Sequence, residues 1–243
     1  ADLLIRCFHR ELACPPKPIG ITFDDGYADN LLNAQPVLKR YGIPATVFVA
    51  TGFLDGGIMF NDVVIEAIRR CGHSSVDLSA FGLGQYDLSD DVLKRDAIMA
   101  LLTQLKYLPF HERMASAKKL AQYLAVDLPT DLMLSTDQLK MLATCPNIEI
   151  GAHTDGHPIL ATLDDAAVAV EIAQGKRHLE DILKRPVLSF AYPNGRPGKD
   201  YLANHPEIVA NMGFKLAVTT SPGVAKKSSD LFQLPRFTPW GRG

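Results

Sequence analysis

Ile19-Gly20-Ile21-Thr22-Phe23-Asp24-Asp25-Gly26-Tyr27 is the stretch on which the fold turns. It follows Pro15, Pro16 and Pro18, and its β-branched and aromatic run predicts a short buried strand. The strand ends on two adjacent carboxylates, and each ionised carboxylate there needs a partner. Outward from it, Asn30 to Arg40 reads as a helix interrupted or restarted at Pro36, with Asp29 as N-cap and Gly42 as its stop. Ala45 to Ala50 is a second buried strand. Strand, helix and strand in this order are the pattern of parallel pairing.

From Gly56 to about Asp131 the texture changes. Asp62 to Arg70, Asp91 to Leu105 and His111 to Leu124 read as helices, so residues 56–131 are expected to be a mostly helical insertion within a single domain of residues 1–243. Such a segment serves as a wall of a cleft or as packing decoration. The alternation then resumes. Ser135 caps a helix to Ala143, Ile148 to Ile150 is a strand, Asp164 or Asp165 caps a long helix to Leu183, and Val187 to Ala191 is a strand. A helix around Pro206 to Met212 and a strand over Leu216 to Thr220 complete an α/β, barrel-like pattern. Residues that carry chemistry fall just past strand ends, where α/β barrels place their sites.

The partner of the carboxylate pair is His153-Thr154-Asp155-Gly156-His157-Pro158. Gly156 and Pro158 argue against a regular helix here, so a loop is expected to turn both imidazoles toward one point. Two neutral imidazoles and one carboxylate make a facial site for a divalent metal, and the second carboxylate is left to handle protons. Two hydrogen-bonding loop histidines are the plainer alternative. His73, His111, His178 and His205 have no such context and read as surface or capping residues.

Composition narrows the class further. The 243 residues are 47% hydrophobic with a formal net charge of −2, which supports a sizeable core and argues against nucleic acid as a partner. No apolar run has the length of an integral membrane segment. Cys7, Cys14, Cys71 and Cys145 are scattered and read as ordinary thiols. No signal peptide is recognisable, and the first residue is Ala1, so localisation is left open. Oligomeric state is not readable.

Thr22-Phe23-Asp24-Asp25-Gly26, His153-Thr154-Asp155-Gly156-His157-Pro158 and Phe190-Ala191-Tyr192-Pro193-Asn194-Gly195 occur in the order of the motifs of polysaccharide deacetylases. Outside residues 56–131, the chain resembles carbohydrate esterase family 4, the NodB-homology domain. That resemblance implies a distorted (β/α) barrel and a metal-dependent deacetylase acting on N-acetylhexosamine residues of a glycan. It implies that Asp25, His153 and His157 hold the metal, usually Zn2+, with Co2+ or Ni2+ as alternatives. Asp24 matches the general base, Thr154 a residue that orients the histidine loop, and Tyr192 the position whose backbone N–H meets the oxyanion. Bacterial-type cell-envelope or other extracytoplasmic glycan processing is favoured, with a cytoplasmic place as the alternative.

The chain departs from the family pattern in two places. The third motif lacks the arginine that pairs with the base, and Arg236 in Leu234-Pro235-Arg236-Phe237 is the candidate replacement. A surface arginine near the terminus is the alternative, and Arg196 is a weaker candidate. The C-terminal Leu-x-His that supplies a general acid is also absent. His9 in Phe8-His9-Arg10 resembles the histidine that a permuted branch uses instead, but Leu3-Leu4 and Cys7-Phe8 have helical spacing. His9 is therefore an acid candidate beside a plain helix end or a histidine upstream of this sequence. Trp240 reads as a sugar-stacking residue or a packing anchor. The gaps keep two other readings open: an O-acetyl esterase on xylan or another glycan, and a non-catalytic glycan-binding module.

Overall fold

The computed structural model describes residue 13 and residues 18–239. In chain order the strands are β1 (Ile21–Phe23), β2 (Ala45–Val49), β3 (Ser75–Asp77), β4 (Gln85–Asp87), β5 (Ile148–Ala152), β6 (Ser189–Ala191) and β7 (Leu216–Val218). The chain divides into two compact units, one of residues 1–55 and 131–243 and the other of Gly56–Thr130.

In the first unit β1, β2, β5, β6 and β7 pair in that order, all parallel, as the wall of a distorted (β/α) barrel. Successive side chains of a strand point to opposite faces, and two clusters record this. Val47, Val49, Ile150, Ala152, Phe190 and Ala217 pack with helix residues such as Val168, Ile172 and Leu179. Phe48 packs on the other face with Ala191, Leu216, Val218 and Leu234. A Cβ at Gly151 would stand 2.4 Å from the Phe48 ring, so the missing side chain makes room for that aromatic.

The helices follow their local signals with two differences. Ser135 forms a full capping box with Gln138 at the start of Thr136–Ala143, and Asp164 caps Asp165–Leu183 by accepting from the Ala167 N–H. The segment read as one helix from Asn30 is a π-helical turn, Asn30–Ala34, followed by an α-helix, Gln35–Tyr41. Pro36, which lacks an N–H, stands at its start. Asp29 makes no side-chain cap; its Oδ1 accepts from Asn30 Nδ2 at 2.9 Å instead. Beyond β7, Leu234 bridges Val218 in parallel, and the Leu234 N–H donates to the Ala217 carbonyl at 2.9 Å. The segment entering Arg236 therefore lies along the outer margin of β7.

The second unit contains helices Phe60–Arg70, Asp91–Leu105 and Phe110–Tyr123 around a core that includes Val64, Ile68, Leu101 and Leu120. It also holds an antiparallel hairpin, β3 with β4, which sequence reading missed. Strands of three residues, polar at both ends, carry too little alternation to register.

Candidate metal centre

Asp24 and Asp25 follow β1 directly. Asp25 has φ +76°, a left-handed conformation that costs energy for a residue other than glycine. The turn is fastened by the Ala50 N–H on the Asp25 carbonyl (3.1 Å) and the Leu134 N–H on the Gly26 carbonyl (3.0 Å). The histidine loop leaves β5 as an irregular segment, with Thr154 at φ +65° and His157 at +54°. Thr154 is buried and ties the loop together: its Oγ1 donates to the His153 carbonyl at 2.5 Å and accepts from the His157 N–H at 3.0 Å.

Neighbouring elements support that loop. The Gly156 N–H donates to Glu171 Oε2 at 2.8 Å, and Thr51 Oγ1 donates to Asp155 Oδ1 at 2.6 Å. Gly175, inside the helix Asp165–Leu183, lets the loop rest on the helix surface; a Cβ there would stand 2.5 Å from the Thr154 carbonyl carbon and oxygen.

The result is a compact donor triangle. One ligand atom each from Asp25, His153 and His157 lies within 4.8 Å of the others. His153 Nε2 is 3.4 Å and His157 Nε2 3.3 Å from Asp25 Oδ1. These separations exceed a good N–H···O bond. They match the edge of a tetrahedron of ligands at zinc-like bond lengths, about 3.3 Å. The His153 Nδ1 lies 2.7 Å from the Ala191 carbonyl, which takes the proton on that nitrogen and leaves the Nε2 lone pair facing the triangle. The donor set fits a divalent cation.

Charge in the site is divided. Burial raises the Asp25 pKa, but His157 and His153 outweigh it and bring the carboxyl to about 2. Burial lowers the His153 pKa, yet the close contact with Asp25 and the charges of Asp24 and Asp25 hold it above the ordinary imidazole value. Asp24 is not one of the three donors; its carboxylate is held by Arg236. Arg236 Nη1 donates to its Oδ1 and Nη2 to its Oδ2, both at 2.8 Å, a bidentate pair. Burial raises the Asp24 pKa; the Arg236 hydrogen bond and the charges of His153 and Arg236 prevail and lower it.

Other expected residues fall elsewhere. The Tyr192 backbone N–H is not available to an oxyanion: it donates to the Val218 carbonyl at 3.2 Å, one step past the assigned strand. Tyr192 is a core residue, its hydroxyl on the Phe232 carbonyl (3.0 Å) and its ring stacked on Tyr201 at 3.9 Å. Burial pushes its phenol pKa far up. Pro193 has no N–H, so the next donor in this turn is Asn194, at φ +59°, whose N–H meets no acceptor among the described residues. Arg196 pairs with buried Asp200 at 3.1 Å rather than with Asp24. His205 is buried and accepts from the Leu202 N–H, a capping role. His9, Cys7, Cys14 and Trp240 lie outside the described residues.

A parallel half-barrel with an aspartate–dihistidine cation site beyond its strand ends defines the class. The family model for polysaccharide deacetylase matches residues 12–80 and 96–217, and the chain belongs to that family. The match runs through most of residues 56–130, so the helical segment is largely the family's own. YxkH of Bacillus subtilis (strain 168), whose name assigns it provisionally to the polysaccharide deacetylases, is 23% identical over 220 residues. That alignment covers 90% of this chain and 50% of YxkH, so the chain spans about half the length of this curated relative.

Solved structures share the fold. The Streptococcus pyogenes deacetylase PplD in complex with acetate aligns with a TM-score of 0.60 and 21% identity, over 97% of this chain and 70% of PplD. The BpsB deacetylase domain of Bordetella bronchiseptica gives 0.59 and 17%, over 96% and 75% of the two chains. A de-N-acetylase from Aggregatibacter actinomycetemcomitans gives 0.59 and 13%, over 97% and 75%.

Proposed function

We propose that the chain is a zinc-dependent deacetylase that removes the N-acetyl group from N-acetylhexosamine residues of a glycan and releases acetate. One observation carries this reading: the Asp25–His153–His157 triangle stands beside a second carboxylate, Asp24, whose oxygens are held by an arginine. Family membership and the fold shared with a de-N-acetylase and with a deacetylase in complex with acetate support it. Two imidazoles and one carboxylate suit zinc, while cobalt and nickel accept the same donors.

Asp25, His153 and His157 would hold the cation. When bound, it supplies a Lewis acid for the acetyl carbonyl and makes water acidic enough to lose a proton near neutral pH. Asp24, kept ionised by Arg236, takes that proton on a carboxylate oxygen. Arg236 fixes the orientation of that carboxylate through its two N–H···O bonds. The Asn194 N–H donates to the oxygen on which negative charge develops. Glycans of this kind lie in the cell envelope or beyond it, so an extracytoplasmic place of work goes with the reading.

A second reading, O-acetyl ester hydrolysis, is favoured by one observation. Neither other described imidazole of this unit joins the triangle: His178 stands 4.0 Å from Asp155, and His205 is buried 3.9 Å from Asp165. An alkoxide leaves with less need of a proton than an amine does, so an ester tolerates that gap better. Zinc-loaded protein is expected to release acetate from N-acetylated chitooligosaccharides faster than from acetylxylan. The opposite order selects the esterase, and release from neither substrate by fully loaded protein sinks both.

A further inference from the structure

The guanidinium of Arg236 meets more than Asp24. Besides its two bonds to the carboxylate, Nη1 donates to Thr22 Oγ1 at 2.9 Å and Nε donates to the Thr219 carbonyl at 2.9 Å. Its plane is thus fixed by acceptors from two stretches of chain. Those stretches lie at opposite margins of the sheet. β1, which carries Thr22 and leads into Asp24, pairs with β2 alone among the described strands. The Leu234–Arg236 stretch lies outside β7, and its backbone is fastened there by the Arg236 N–H on the Ser221 carbonyl at 3.0 Å. One side chain therefore joins the two margins of the distorted barrel, and it does so at the residue read as the base. The Phe48 ring, from the interior face of β2, lies 5.8 Å from the guanidinium carbon.

Thr22 and Asp24 are two residues apart on extended chain, so their side chains project from the same face toward the same guanidinium. An arginine side chain has many rotamers, and a bidentate pair forms only when its plane lies along the carboxylate. We propose that Thr22 is a positioning residue for Asp24, acting through Arg236. Its hydroxyl and the Thr219 carbonyl hold the guanidinium in the orientation in which both arms reach the carboxylate. The role of Asp24 as base is taken from the proposed deacetylase function. Small displacements of a catalytic group are costly in rate, so the effect is expected in turnover rather than in substrate binding.

The test compares Thr22→Val, which keeps the branched shape and loses the acceptor, with Thr22→Ser, which keeps it. In zinc-loaded protein Thr22→Val is expected to lower kcat about tenfold with KM and bound zinc unchanged, and Thr22→Ser to restore most of the rate. A second measurement does not depend on turnover. Rotation about the Arg236 Nε–Cζ bond, read from exchange between its Nη nitrogen resonances, is expected to be slow in the native chain and in Thr22→Ser and measurably faster in Thr22→Val, where the Asp24 and Thr219 bonds remain. Native kcat or an unchanged Nη exchange rate in Thr22→Val overturns the proposal, as does a serine variant as slow as the valine one. If the native chain releases no acetate, the assignment of Asp24 as base fails, and the resonances alone decide whether Thr22 holds the guanidinium.

Discussion

Asp24 and Asp25 are neighbours in sequence, yet their carboxylates meet different partners in one site. Asp25 looks toward two imidazoles delivered by a loop after β5, and that loop is braced by Thr154, Glu171 and Gly175. Asp24 looks toward a single arginine, 212 residues away in sequence. The imidazole side offers lone pairs to a cation, whereas the guanidinium side offers only protons and cannot coordinate one. Two carboxylates of the same chemistry thus take different work from their surroundings.

The largest expected effects break one side and spare the other. His153→Ala is expected to lose bound zinc and to reduce acetate release by about a thousandfold or more, read by metal analysis and an acetate assay. Asp24→Asn is expected to keep its zinc and lose about a hundredfold to ten-thousandfold in kcat. Loss of zinc from Asp24→Asn would merge the two sides into one ligand set.

Arg236→Ala sharpens the same contrast. It leaves a mostly buried carboxylate without its cation, so a loss of about 2 kcal/mol in thermal or denaturant unfolding is expected for this partly exposed pair. Turnover should fall about a hundredfold, with added guanidinium restoring part of it and zinc content unchanged. Zinc loss in this variant would show that the guanidinium side also shapes the metal centre.

The contrast explains what could be read from the chain. His153 and His157 lie four residues apart around a glycine and before a proline, so their loop and its shared target were local information. Arg236 was legible only as a candidate, because its position depends on the margins of the sheet meeting. The parallel alternation gave the half-barrel, since buried strands and capped helices each leave a local signature. Ladder ends do not. Tyr192 was expected to offer a free N–H, but pairing to Val218 continues one residue farther than the apolar run suggests. The π-turn at Asn30–Ala34 was visible as a break at Pro36 but not as a wider helix.

A smaller effect isolates the bracing of the imidazole side. Replacing a glycine inside a helix by alanine ordinarily stabilises it by up to about 1 kcal/mol. At Gly175 the new methyl would meet the Thr154 carbonyl at 2.5 Å, so the histidine loop must shift. Gly175→Ala is expected to weaken zinc affinity about tenfold in a chelator competition, with kcat near native once zinc is saturating. Unchanged affinity would show that the loop holds its geometry without the helix beneath it.

The smallest effect is the pH response of the metal-free protein, and it tests whether the imidazole side is held charged. Burial opposes charge on His153, but the close Asp25 contact and the Asp24 and Asp25 charges raise its pKa above 6.5. A raised folded pKa means that the stability it contributes is fully present below the unfolded value and is lost as pH rises through the folded one. Asp25, at about 2, behaves oppositely: its contribution is present above the ordinary value of 3.8 and disappears as pH falls toward 2. As pH rises from about 6, the His153 contribution is lost while His205, whose pKa burial lowers, acts in the opposite sense, so the unfolding midpoint of metal-free native protein is expected to fall relative to that of His153→Ala. Zinc needs the imidazole neutral, so the rise in midpoint on adding zinc should grow over the same rise in pH. The zinc trend should be absent from His153→Ala, and Arg236→Ala should leave both trends in place. A metal-free midpoint that does not fall relative to that of His153→Ala as pH rises would mean that Asp25 does not hold the His153 proton, and the electrostatic division between the two sides would fail.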